Sequence, residues 1–304
     1  MKDIIKVSVV NFKSQWGDKE KNGKRIMEYM EAAASEGVNL ILFPEMALTG
    51  YADEPEKSFS EKMQYKNGEN INSEICRRIS ELSRKLNIYS VIGMPLLENN
   101  RLYNSAGLFY PDGKIDFYKK IHLAQATELN WATKGNEPKM LDTPWGKIGI
   151  AICYDVYFFP ELIRYYVAKG ARLILNLTAY SKPYGLKQAI YPMATYVFTN
   201  SIYMAAANLC GEEKDGEYYW GGSCIIGPSS APFDISYFAG IPFGEEGADR
   251  QGIFTASVDL SAAKRSLYNV NPVFNTPDFR ADLYAKLYKE IAEENEEQLK
   301  NIRK

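Results

Sequence analysis

Three short segments of this 304-residue chain each set an ionisable side chain just past an apolar run. The first is Phe43-Pro44-Glu45, which follows Leu40-Ile41-Leu42. A carboxylate directly after a buried strand is poorly solvated, and burial raises its pKa towards the range useful to a general base. The second is Tyr118-Lys119-Lys120-Ile121-His122-Leu123. On a strand, Lys120 and His122 share one face while Lys119 points away. The third is Ile150-Ala151-Ile152-Cys153-Tyr154-Asp155, ahead of a helix that begins near Pro160. A thiol at a strand-to-helix turn meets oriented backbone N–H groups, which help to ionise it and can donate to an oxyanion. Taken singly, each segment has a plain structural reading: a loop carboxylate capping a turn, a solvated basic pair, a small buried thiol. Taken together they supply a base, a cation and a nucleophile. A free thiol, with a pKa of about 8.5, is mostly protonated at neutral pH and needs such a cation or base beside it.

In this order and spacing the segments resemble the nitrilase superfamily of carbon–nitrogen hydrolases. Its pattern has a Glu after Phe-Pro, a Lys inside Tyr-x-Lys-x-His-Leu, and a Cys followed by Tyr-Asp. Leu48-Thr49-Gly50-Tyr51, the region Glu128 to Gly135, Asn176-Leu177-Thr178-Ala179, Gly222-Ser223 and Gly227-Pro228 agree with it as well. The resemblance runs from Val7 to Val258. It implies Cys153 as nucleophile, Glu45 as proton acceptor, Lys120 as the cation beside a tetrahedral intermediate, and Glu128 as a second glutamate that positions the others. Tyr154 would lend its backbone N–H to the oxyanion, and Tyr51, Tyr154, Asn176 and Tyr180 are expected at the substrate. The implied reaction turns a small amide or N-carbamoyl compound into an acid plus ammonia or an amine through a cysteine acyl-enzyme, with no metal and no organic cofactor.

Nitrile-cleaving members generally have Trp-Glu after the cysteine, so Tyr154-Asp155 favours an amidase or an N-carbamoyl amidohydrolase. Nitrile hydrolysis, acyl transfer to an amine, and a non-catalytic scaffold on the same fold are the alternatives. A Cys153–His122 dyad is a further one, since His122 is the single histidine of the chain. One departure stands beside the nucleophile. Val156-Tyr157-Phe158 separates Asp155 from Phe159-Pro160-Glu161, one residue more than the family pattern, which predicts a reshaped pocket wall. Aromatic residues crowd this region: Tyr154, Tyr157, Phe158, Phe159, Tyr180, Tyr184 and Tyr191. Some are expected to line an apolar pocket, and their alternative role is packing between layers. Arg164, well inside the helix after Pro160, is expected on a solvated face.

The elements that must hold these residues are legible in the periodicity. A strand over 7–12, a helix over 19–36 with Ile26, Met27, Met30, Ala33 and Ala34 on one face, and the strand Leu40 to Phe43 make a β-α-β unit. A helix over 73–86, a strand over 88–93 and a hairpin turning at Pro111-Asp112-Gly113 follow. Lys147 to Cys153 and Leu173 to Leu175 read as strands about a helix that opens at Pro160 and ends near Gly170. Strands at 202–207, 219–227 and 252–258, with a helix near 187–200, complete the pattern. The stretch Gly37 to Phe43 echoes Gly170 to Asn176, which suggests two similar halves.

An α/β fold follows. The resemblance makes it a four-layer α-β-β-α sandwich of two mixed six-stranded sheets, with a hydrolase domain over 1–275 and a helical tail over 276–304. That tail carries Leu283, Tyr284, Leu287, Tyr288 and Ile291 on one side, and with the family's habit of pairing it predicts a homodimer or larger homo-oligomer. A net charge of −2 argues against a nucleic-acid partner. The absence of a long apolar run argues against a membrane span, and widely spaced cysteines without an N-terminal apolar segment point to the cytoplasm.

Overall fold

The computed structural model describes residues 2–125, 127–182, 185–231 and 234–302. They fall into two compact units, Met1–Lys264 and Arg265–Lys304.

The first unit opens with β1 (Ile4–Asn11), α1 (Lys19–Ser35), β2 (Leu40–Leu42), α2 (Met63–Lys66) and α3 (Glu74–Leu86). Next come β3 (Tyr89–Glu98), β4 (Arg101–Phe109), β5 (Ile115–Lys119), β6 (Lys139–Thr143) and β7 (Gly146–Ile152). They are followed by α4 (Tyr154–Phe158), α5 (Pro160–Ala168), β8 (Leu173–Thr178), β9 (Ser181–Lys182) and α6 (Leu186–Asn200). The strands β10 (Tyr203–Asn208), β11 (Cys210–Glu212), β12 (Tyr218–Trp220), β13 (Cys224–Pro228), β14 (Ile235–Gly240) and β15 (Gly252–Asp259) close it. Local chemistry sets the helix ends: the Asp18 carboxylate accepts from Lys21 N–H at the start of α1, and Ser73 accepts from Cys76 N–H at the start of α3.

Two six-stranded sheets result, in the orders β15-β1-β2-β3-β4-β5 and β6-β7-β8-β10-β13-β14. Read in these directions, both have the same pairing sequence: antiparallel, parallel, parallel, antiparallel, antiparallel. The echoing segments lie at equivalent places, since β2 and β8 are each the third strand of a sheet. Strand alternation divides the apolar residues between two faces. Val7 and Val9 of β1 and Leu40 and Leu42 of β2 meet Ile148, Ile150, Leu173 and Leu175 of the other sheet. Val10, Ile41 and Ile92 turn the opposite way, onto Ile26 and Met30 of α1 and Ile75 and Ile79 of α3. Across the second sheet, α5 buries Leu162, Ile163, Tyr166 and Val167, and α6 buries Ala189, Met193 and Val197. Helix, sheet, sheet and helix thus form the four layers, and each fully buried aliphatic side chain contributes about 1.5–3 kcal/mol.

The span 219–227 is not one strand. Gly221 and Gly222, at φ 62° and 69°, take left-handed conformations that break it into β12 and β13. β12 joins β11 and β9 in a separate three-stranded sheet. Cys76, Cys210 and Cys224 are buried within this unit, and Cys153 alone is half-buried. The second unit contains the short pair β16 (Val270–Asn271) and β17 (Thr276–Pro277), then α7 (Ala281–Ile302). The tail expected to be helical from 276 thus begins in the paired strand Thr276–Pro277, and its helix starts only at Ala281. Leu283, Tyr284, Leu287, Tyr288 and Ile291 of α7 are 43–51 % exposed. Among the described residues no helix is long and apolar enough to cross a membrane.

Candidate active site

Glu45 stands three residues past β2, on a turn that packs tightly against β3. Gly93 makes this possible: a Cβ there would lie 2.2 Å from Pro44 O and 2.6 Å from Glu45 Cα. Its N–H donates to Pro44 O and its carbonyl accepts from Leu48 N–H, which fixes the turn on the strand.

Lys120 is the first residue after β5. Its N–H donates to Asn104 O and its carbonyl accepts from Gly135 N–H. Because the strand has ended, Lys120 and His122 do not share a strand face as alternation predicted. Lys120 turns inward and is fully buried, with Nζ donating to Glu45 Oε1 at 2.7 Å and to Glu128 Oε1 at 2.6 Å. His122 turns to Asp155 instead, with Nδ1 2.8 Å from Oδ1, and its ring stacks on Phe159 at 3.6 Å between centroids.

Both glutamates are fully buried and well supplied with donors. Glu45 accepts from Asn104 Nδ2 at 2.7 Å and from Ala179 N–H at 2.9 Å. Glu128 accepts from Asn104 Nδ2, from the Tyr51 hydroxyl and from Ala124 N–H, each at 2.9 Å. Sequence reasoning missed Asn104, whose single amide joins the two carboxylates. The available signal was the polar pair Asn104-Ser105 in the middle of β4.

Two carboxylates against one ammonium leave an excess negative charge with little solvation. Burial therefore pushes the Glu45 carboxyl up to about 7, opposed by the Lys120 cation and reinforced by Glu128. For Lys120, burial works against the charged form, but Glu128 and Glu45 more than offset it and hold the ammonium above the ordinary lysine value.

Cys153 occupies the turn between β7 and α4 with φ 49°, an uncommon conformation for a non-glycine residue. Its N–H donates to Leu177 O at 2.8 Å and to Asn176 Oδ1 at 3.1 Å. Burial and the Glu45 charge raise the thiol pKa, while Lys120 and a hydrogen bond with Thr178 lower it. Asp155 ties this turn to the lysine segment. One carboxylate oxygen accepts from Tyr118 OH at 2.7 Å and Ile152 N–H at 3.1 Å, the other from His122 N–H at 2.9 Å and the ring.

Cys153 opens onto a cavity of about 290 Å³. Tyr51, Tyr154 and Tyr180 line it, as do Tyr157 and Phe158 from the segment that departs from the family pattern. Asn176 is not among the lining residues; it is buried and holds the Cys153 N–H. Phe159 faces His122, Tyr191 is exposed, and Tyr184 lies outside the described residues. Arg164 is half-buried and no lining residue.

Comparison with known proteins identifies relatives of the chain. Residues 6–266 match the carbon-nitrogen hydrolase family. A "probable nitrilase" of Schizosaccharomyces pombe is 30 % identical over 88 % of this chain and 91 % of its own. A chloroplastic omega-amidase of Arabidopsis thaliana is 29 % identical over 69 % of this chain, which spans only 59 % of that relative. Among solved structures, an amidase from Nesterenkonia sp. AN1, seen with the result of Michael addition of acrylamide at its active site cysteine, superposes with a TM-score of 0.72. That likeness covers 93 % of this chain and 99 % of the amidase at 22 % identity. The matched span takes in all but the first two residues of the six-stranded sheets, together with Glu45, Asn104, Lys120, Glu128 and Cys153, and the chain belongs to the carbon-nitrogen hydrolase family.

Proposed function

We propose that this protein hydrolyses a small amide through Cys153, with Glu45 as base, Lys120 as stabilising cation and Glu128 as the group that positions it. The observation that carries this reading is the lysine held between two buried carboxylates behind a half-buried thiol that opens onto a cavity.

Glu45 takes the thiol proton, and the sulfur attacks the amide carbon to form a tetrahedral oxyanion. Lys120 and the backbone N–H of Tyr154, an unpaired first-turn donor of α4, stabilise that charge. Glu45 then gives its proton to the departing nitrogen. Ammonia leaves and a thioester remains. Water attacks the thioester with Glu45 again as base, and the acid is released with the thiol restored. His122 has no part in these transfers: its ring is stacked on Phe159 and held by Asp155, and it is not among the residues that line the cavity at Cys153. His122→Asn is expected to retain turnover, in contrast to a Cys153–His122 dyad.

The aromatic lining favours amides whose acyl chain can lie against apolar rings. Ammonia release over a panel of amides, N-carbamoyl amino acids and nitriles tests the reading, with Cys153→Ala as control. Release from an amide that disappears in the variant is expected; release that survives Cys153→Ala would overturn it. Two coarser expectations extend the proposal. The exposed apolar side of α7 supports a homo-oligomer, for which a monomeric mass at micromolar concentration is the opposing result. Four free cysteines suit the reducing cytoplasm.

A further inference from the structure

The cavity in front of Cys153 has a one-sided charge balance. Among its described lining residues there is no Lys, Arg or His, and the one charged side chain is Glu217. Lys120, Lys182 and Lys214 are engaged elsewhere. Lys120 is locked between Glu45 and Glu128. The Lys182 ammonium lies over the rings of Tyr218 and Trp220 at 4.1 and 4.4 Å, and Lys214 lies over Trp16 at 4.4 Å and 3.3 Å from Glu54.

Glu217 is half-buried, and its backbone is pinned where it meets the cavity. Its N–H donates to Lys214 O at 3.1 Å, and its carbonyl accepts from Glu213 N–H at 2.8 Å. Among the described residues no ion pair neutralises its carboxylate. The same cavity presents the rings of Tyr154, Tyr157, Phe158 and Tyr180. Aromatic faces attract cations through their quadrupoles, and the attraction grows as the cation loses water. A carboxylate on the substrate would meet the opposite situation: no counter-cation, an apolar wall and a like charge.

We propose that Glu217 is a specificity-determining residue and that the substrate is an amide whose acyl chain ends in an ammonium group. The chain lies along the aromatic rings, the ammonium meets Glu217, and the amide carbon reaches Cys153. This rests on the reading of Cys153 as the nucleophile of an amide hydrolase.

The test uses pentanamide, 5-aminopentanamide and the monoamide of glutaric acid, which match in length and differ in charge. In the wild-type protein, kcat/KM is expected to be highest for the cationic amide, at least tenfold lower for the neutral one and lowest for the anionic one. Glu217→Gln is expected to lower the cationic-to-neutral ratio about tenfold, and Glu217→Lys to move the preference towards the anionic amide. Competitive inhibition by pentylammonium, weakened about tenfold in Glu217→Gln, reads the same contact without the chemical step. A ratio and an inhibition constant that do not move in Glu217→Gln, or a wild-type preference for the glutaric monoamide, would overturn the role of Glu217. Hydrolysis of pentanamide that requires Cys153 would leave the hydrolase reading standing in that case. Failure of all three amides would overturn both.

Discussion

Glu45 carries two opposing dependences on pH. As a base it must be ionised, and its carboxyl is pushed up to about 7 by burial and by the neighbouring Glu128 charge. kcat/KM for a neutral amide is therefore expected to climb with pH through about 7 and then level. In Glu45→Gln this limb should vanish and turnover should fall by about 10²–10⁴, the usual worth of a positioned general base. Stability runs the other way. The folded protein binds a proton at Glu45 that the unfolded chain, with an ordinary carboxyl pKa of 4.5, has already released between that value and about 7. The stability this proton confers is fully present below the ordinary value and is lost as pH rises through the folded one. Thermal melts from pH 4.5 to 7.5 should show this decline, and Glu45→Gln should flatten it. A melting profile identical in both proteins would mean that Glu45 titrates like an exposed carboxyl.

Among the elements, the turn after β7 does the most to assemble the site, and Asp155 is what connects it to the segment after β5. Its two oxygens collect Tyr118, Ile152 and His122, so the peptide groups flanking Cys153 and Lys120 share one anchor. Asp155→Asn keeps the size but faces an amide donor towards N–H groups. It is expected to lower kcat by about 10- to 100-fold with KM little changed, because misplacement by about 1 Å is enough for such losses. Asp155→Glu should recover less than half of the loss, since the longer arm displaces the turn. A rise in KM at constant kcat would assign Asp155 to binding instead. Periodicity revealed the strands here but not where they stop. Alternation along Tyr118 to Leu123 paired Lys120 with His122, yet β5 ends at Lys119 and the two side chains part. Asn104 escaped notice for a related reason: it is one of several polar residues in β4, and only its placement between two carboxylates gives the amide meaning.

For the whole molecule, the parallel centre of each sheet was legible and its margins were not. Helix-stop and buried-strand junctions at Gly37 and Gly170 mark β2 and β8, the third strands of equivalent sheets. The antiparallel partner of β1 is β15, where Ile4 meets Asp259, and no local pattern records a pairing across so much chain. The layering built in this way has a use at the bench. Cys76, Cys210 and Cys224 lie buried within it, whereas Cys153 is half-buried and opens onto the cavity. A native sample treated with iodoacetamide should thus take up about one label per chain, at Cys153, and all four only after denaturation. Label uptake and loss of turnover should fall on one straight line. A protein with four thiols then behaves as a reagent with one, and the fraction of working molecules in any preparation can be counted directly.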